Sequence, residues 1–293
     1  MKFKATLSIV ALLVILVSCN QFSDTSTETI SGKERKLPAN MVYSYDCIKP
    51  DSGSLSEILG KADNILGKVA TFNIEVTDND QVAFGDTFLL EALKDKNFII
   101  DSTNPVNIKL ETILHDLLRK RVHPTAITYK MYLLQDSATI NAYTVGGKIF
   151  ITSGMITKCT KDDQLYAIIG HEVGHNEKGH IKNSIRQMKA SNKFFGNWGN
   201  AFIVIKRLLT GSFNFKNELE ADYYGVDLTW KLGYDVCTIC TFWKDMARGE
   251  EHNTINDFFR THPYSATRST CLLNHINTNF KIDCNGDSSR NKP

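Results

Sequence analysis

The chain has 293 residues, 42% hydrophobic and 23% charged, which fits a globular class with a sizeable core in one large domain, alone or with a small accessory part. The formal net charge is +2, and Lys2 and Lys4 supply all of it. Such a balance excludes a basic field of the kind that draws nucleic acid, and no nucleic-acid partner is expected.

The chain opens with MKFK, a short positive stretch, followed by the apolar run ATLSIVALLVILV. That run is too short for a comfortable membrane span and reads, over residues 1–18, as a signal segment. It ends in Leu16, Val17, Ser18 and Cys19, which resembles a bacterial lipobox. The resemblance implies cleavage before Cys19, lipidation of that residue and attachment to a membrane through acyl chains. Asn20 stands where an Asp would retain a lipoprotein at the inner membrane, which tilts the expectation toward the periplasmic side of the outer membrane. Residues 19–50, polar over 20–40, read as a tether. A globular domain is expected over 51–280 with its core at 105–275, and a polar tail over 281–293.

Within the domain, SLSEILGKADNILGKV places apolar residues at helical spacing, and further helices are expected around 86–95 and 105–121. ITYKMYLLQ (127–135) is β-branched and aromatic and reads as a strand. NAYTVGGKIFITSG (141–154) is a second β-rich run, with a Gly-Gly pair able to make a bulge or bend. From Lys161 one helix is expected through DDQLYAIIGHEVGHNEKGHIKNSIRQ, acidic in its first turn. GNWGNAFIVIKRLLTGSF (196–213) reads as a buried helix or, alternatively, a membrane-surface or lid segment. NFKNELEADYYGVDLTWKLG is another helix with a stop at Gly233, and two or three more fill the C-terminal third. Beyond Cys19, six cysteines remain, an even number that permits disulfides; fifteen pairings are possible. CTIC (237–240) lacks the surroundings of a thioredoxin-like motif, and Cys271 and Cys284 are too far apart to complete a zinc ribbon.

The chemistry concentrates in HEVGH. His171 and His175, four apart on a helix, lie on one face about 40° from alignment. They can direct two ring nitrogens at one zinc ion, while Glu172 reaches the metal's water as a general base. A catalytic zinc needs a third protein ligand, and ELEAD supplies a candidate in Glu218, about forty residues downstream. Asp222, one turn on, can accept the free ring N–H of a ligand histidine, His171 by preference. Glu220, about 200° from Glu218 round that helix, is expected to face solvent or Lys216. His180, five beyond His175, points off the metal-facing line and reads as a histidine behind the ligands or at the surface. His115, His123, His252 and His275 show no partner pattern.

HEVGHxxxxH followed by NELEADYYG resembles the gluzincin metalloproteases of the HtpX and CAAX-prenyl-protease type, most nearly their soluble, BepA-like bacterial branch. NAYTVGGKIFITSGMI is similar to the strand segment before that family's active-site helix, and THPYSATR (261–268) to its C-terminal signature. The four segments keep the family's order. Phe215-Lys216 departs from the Ser-Arg often found there, and nothing before about residue 100 matches.

The resemblance implies an α+β, mostly helical zincin-type domain with a small β-sheet edge strand beside the HExxH helix. It implies one Zn2+ per chain on His171, His175 and Glu218, and proteins or peptides as substrates. Glu172 would be the general base. His262 and Arg268 would bind substrate or stabilise the oxyanion, although in BepA-like relatives the matching histidine instead approaches zinc. Gly147, Lys148, Ile149 and Phe150 would pair with an extended substrate backbone, or form an ordinary core strand. The expectation is a lipid-anchored zinc endopeptidase of the bacterial cell envelope, engaged in protein quality control. The rival is a non-proteolytic envelope chaperone or assembly factor that keeps the zinc site, against which the intact Glu172 argues. A third is a protease that blocks its own site through His262 or the 196–213 segment. Oligomeric state leaves no signal in the sequence.

Overall fold

The computed structural model describes residues 33–47, 73–190, 214–250, 262 and 265–285. The signal segment with Cys19, the helix expected at 54–69 and the 196–213 segment lie outside them. Among the described residues no helix is long and apolar enough to cross a membrane.

Helix α1 (Asp78–Ala92) starts earlier than periodicity suggests because Thr77 and Asp80 form a reciprocal capping box. Helix α2 (Val106–Arg119) buries Leu110, Ile113, Leu114 and Leu117, a single stripe at helical spacing. Strands β1 (Lys130–Leu134), β2 (Ala142–Val145) and β3 (Lys148–Thr152) form one sheet in the order β1-β3-β2. β1 runs parallel to β3 and β2 antiparallel to it. The Gly-Gly pair is the hairpin turn: Gly146 and Gly147 have φ of 53° and 86°, the left-handed pair a two-residue turn between twisted strands requires.

β3 is buried at every position. Ile149 and Ile151 enter the main core with α2, while Phe150 on the other face packs with Phe84 and Phe88 of α1. Neighbours in register, Tyr132 and Tyr143, stack on the Phe150 ring. A short helix, α3 (Ser153–Lys158), follows directly, capped by Thr152.

The expected long helix is instead two, α4 (Asp162–Glu177) and α5 (His180–Ala190). Gly179, at φ 74°, ends the first and restarts the chain in a new direction. Helix α6 (Phe215–Lys231) stops as expected: Gly233 has φ 87°, and the bonds from Gly233 N to Trp230 O and Tyr234 N to Thr229 O close a Schellman motif. Helices α7 (Cys237–Glu250) and α8 (Ser265–Phe280) complete the domain. The mostly helical architecture with a small sheet is the fold class expected of a zincin-type domain.

Residues 33–47, expected within the tether, are docked on α6 and α8. Arg35 lies over the Trp230 ring, Tyr43 donates to Asp227, and Asn279 bonds both backbone groups of Val42. The Cys47–Cys271 disulfide fixes the end of this strap, and Cys237–Cys284 ties the start of α7 to the exit of α8. CTIC is thus split between a disulfide and the buried free thiol of Cys240.

Helices α4 and α6 cross where Gly170 faces Gly225 and Gly174 faces Ala221, so they run antiparallel with backbones nearly touching. A Cβ on Gly225 would stand 2.7 Å from both Ala167 O and His171 N. Alanine gains about 1 kcal/mol of helix propensity over glycine, whereas overpacking costs about 1–3 kcal/mol, and more when the obstacle is backbone. Gly225→Ala is expected to lower the urea-unfolding midpoint, against the rise that propensity alone would give.

Candidate active site

The crossing sets His171 and His175 of α4 opposite Glu218 and Asp222 of α6. The two Nε2 atoms of His171 and His175 lie 3.0 Å apart. Glu218 reaches them with Oε2 at 3.6 Å from His171 and Oε1 at 3.5 Å from His175. His262 adds Nδ1 at 3.2 Å from His171 Nε2 and 3.0 Å from Glu218 Oε2. One atom from each of these four buried residues lies within 4.8 Å of every other, a group that could hold a metal ion.

Proton placement tests whether a cation fits. Asp222 Oδ1 is 2.9 Å from His171 Nδ1, and Asp222 is ionised: burial opposes its charge, but Arg268 outweighs this and brings its pKa to about 2. The carboxylate therefore accepts a hydrogen bond from the Nδ1–H of His171, which leaves an Nε2 lone pair facing His175. Burial first, then the neighbouring imidazoles, pushes His175 well below the ordinary histidine range and keeps it neutral; with its single proton on Nδ1, its Nε2 lone pair faces that of His171. Glu218 Oε1 is buried without a hydrogen-bond partner. Facing lone pairs and an orphaned carboxylate oxygen are what a bound divalent cation would satisfy.

Glu172 is buried beside this group, with Oε1 3.5 Å from His262 Nε2. Burial raises its pKa, against the pull of His262 and His171. For His262 burial opposes the charge, but Glu218 outweighs it and raises the pKa. Its Nε2 meets Ala142 O at 3.1 Å.

Two expectations need correction. Arg268 is fully buried and committed: Nε and Nη2 grip both oxygens of Asp222 at 2.8 and 2.7 Å, and Nη1 lies 2.9 Å from Glu218 Oε2 and donates to His262 O. Its guanidinium lies 4.2 Å from the centre of the Trp243 ring. It orients the two carboxylates and has no donor turned to a substrate. Strand β3, with Gly147, Lys148, Ile149 and Phe150, was expected to receive an extended substrate. It is instead the ordinary core strand that the sequence left as the alternative, central in the sheet with both edges already paired. The edge strand beside α4 is β2. Asn141 O accepts from Thr152 N of the sheet, so the carbonyl of Ala142 points outward, where His262 meets it.

Other contributors had weak sequence signals. Asn176, next to His175, donates to Thr144 Oγ1 and the Glu172 carbonyl and accepts from Gly147 N, pinning the hairpin to α4. Nothing in its spacing marks it. His180 is buried against His175, and Glu220 is bonded to His180; the breaking Gly179 was the available clue.

Peptidase family M48 matches residues 106–276, more than half of the chain. The chain belongs to this family. It is a metalloendopeptidase, and M48 membership implies a divalent metal and protein or peptide substrates. Metalloprotease LoiP of Escherichia coli K12 is 28% identical over 208 residues, covering 64% of this chain and 77% of LoiP. Metalloprotease YcaL of the same strain is 26% identical over 175 residues, 54% of this chain and 66% of YcaL. Mitochondrial metalloendopeptidase OMA1 of Schizosaccharomyces pombe is 28% identical over 155 residues, 48% of this chain; the match spans less than half, 45%, of the OMA1 length.

The Asp222–Arg268 pair carries an acid sensitivity with a defined sign. Asp222 has a folded pKa of about 2 against an ordinary 3.8, so its stabilisation is complete above about pH 4 and is lost as pH falls through 2. In unfolding titrations, Asp222→Asn is expected to be less stable than wild type by about 2 kcal/mol at neutral pH, the gap closing toward pH 2.

Proposed function

We propose that the chain is a zinc-dependent endopeptidase with His171, His175 and Glu218 as metal ligands and Glu172 as general base. The observation that carries this reading is the pair of Nε2 atoms facing each other at 3.0 Å beside the unpartnered Glu218 Oε1. When bound, the cation supplies Lewis acidity toward water and the scissile carbonyl. Glu172 accepts a proton from the attacking water and returns it to the leaving amine. Its buried setting, which strengthens its hold on a proton, suits that shuttle. Asp222 fixes the tautomer of His171, and Arg268 holds Asp222 and Glu218 in place. An extended substrate adds to the outer edge of β2, at Ala142, by backbone hydrogen bonding.

His262 supports a second reading, in which the resting site blocks itself. Its Nδ1 sits among the ligand atoms, and its Nε2 covers the Ala142 carbonyl a substrate would use. We assign the chain to the soluble, BepA-like bacterial branch on its motif pattern, as a lipoprotein anchored through Cys19. Its place is then the periplasmic side of the outer membrane and its role envelope protein quality control; the lipobox at residues 16–19 is what favours this.

In a casein-type cleavage assay, Glu172→Gln is expected to lower turnover by about 10²–10⁴-fold while still binding Zn2+. Equal cleavage by the variant and wild type would remove Glu172 from the mechanism. In the same assay, higher activity of His262→Ala supports the self-blocked site, whereas unchanged or lost activity counts against it. Expressed in a Gram-negative host, Cys19→Ser is expected to move the protein from the membrane to the soluble fraction; persistence at the membrane would argue against the lipid anchor.

A further inference from the structure

Glu220 lies between Glu218 and Asp222 in sequence but on another side of α6, about 200° from Glu218, too far round to join the ligand group. It does pair with Lys216, at 3.6 Å, and it accepts from Tyr45 OH at 3.3 Å. Its closest partner is buried: Glu220 Oε2 lies 3.0 Å from His180 Nε2. On the other side of that ring, His180 Nδ1 lies 3.1 Å from His175 Nδ1. A continuous chain of polar atoms therefore runs from Glu220 through His180 to the back of His175.

We infer that His180 and Glu220 are positioning residues that set the tautomer and ring orientation of His175, as Asp222 does directly for His171. This rests on the reading of His175 as a metal ligand. A histidine that offers Nε2 to a metal must carry its proton on Nδ1. His175 Nδ1 then has to donate, and the nitrogen facing it, His180 Nδ1, has to accept. His180 can accept there only if its own proton sits on Nε2, and a carboxylate at Nε2 accepts only. Glu220 thus decides the position of each proton along the chain. With His175 at 0% and His180 at 2% exposure, little water reaches these rings to reverse the order.

Gly179 makes the arrangement possible. Five residues along an unbroken helix would turn His180 about 140° away from His175. The left-handed Gly179 ends α4, and α5 begins on His180 itself, which brings its ring against the far nitrogen of His175. His180 is no candidate ligand in this geometry, since it meets the nitrogen turned away from the ligand group. One stretch of α6, ELEAD, delivers both a ligand and the acids behind the two histidines, one acting directly and one through an inserted imidazole.

The test measures Zn2+ affinity of the purified protein by competition with a chelating dye, together with the visible spectrum of the Co2+-substituted form. Glu220→Ala and His180→Ala are each expected to weaken Zn2+ binding by about 10-fold or more and to shift the Co2+ bands. Glu220→Gln, which still offers an acceptor to His180 Nε2, should fall between Glu220→Ala and wild type. In the double variant the two losses should not add, because removing either member breaks the same chain. Wild-type affinity and spectrum in Glu220→Ala, or fully additive losses, would overturn the inference. Should His180→Ala fail to fold, the order Glu220→Ala, Glu220→Gln, wild type decides alone. If wild type itself binds no Zn2+, the metal reading falls and this one with it; if wild type binds and Glu220→Ala matches it, only this one falls.

Discussion

The near contact of α4 and α6 at Gly170 and Gly225 is the constraint on which the site depends. Carboxylate side chains are short, and those of Glu218 and Asp222 meet imidazoles on α4 only because the two backbones approach without side chains between them. The close approach also fixes register. Gly170 and Gly174 of α4 flank the histidine positions, and Ala221 and Gly225 of α6 flank Asp222, so a slip of either helix would separate donor from acceptor. Packing and chemistry here are one feature, and the sheet serves it by carrying β2 to the same place, pinned through Asn176.

Charge balance follows from that packing. Glu172, Glu218 and Asp222 are three buried carboxylates, and among the described residues Arg268 is the permanent cation buried with them. Uncompensated buried charge is costly, and a group responds by neutralising or by finding a partner. Arg268 satisfies Asp222 bidentately and shares Glu218, which leaves Glu172 raised in pKa and one Glu218 oxygen without a donor. A divalent cation between His171, His175 and Glu218, as proposed, would close the remainder. Arg268 therefore matters through the carboxylates it aligns, and the same burial that makes it effective removes it from contact with a substrate.

Much of the site was legible because ligand chemistry imposes spacing. HEVGH and ELEAD each hold their residues one helical turn apart, and each lies on a helix as periodicity placed it, although the first helix ends at Glu177 and does not run on through Gln187. What stayed hidden depended on partners distant in sequence. β3 reads as a strand, but its five residues do not reveal that β1 and β2 occupy both its edges, and so they misplace the substrate edge. Arg268 looked available because its motif says nothing of Trp243 and Asp222 enclosing it. Disulfide pairing was open among six cysteines, and the strap at 33–47 looked like tether since its anchors, Trp230, Asp227 and Asn279, lie near the other end of the chain. His180 reads from its spacing as a histidine behind the ligands or at the surface, and it is the break at Gly179 that puts it behind His175.

The central claim is that α4 and α6 together build one metal centre, with Glu218 as the carboxylate ligand. Metal content of the purified protein, measured by mass spectrometry after dialysis against trace zinc, tests it most directly. The account predicts about one zinc per chain in wild type and a large loss in Glu218→Gln, with the fold retained. Wild type without zinc, or Glu218→Gln holding as much zinc as wild type, would contradict it.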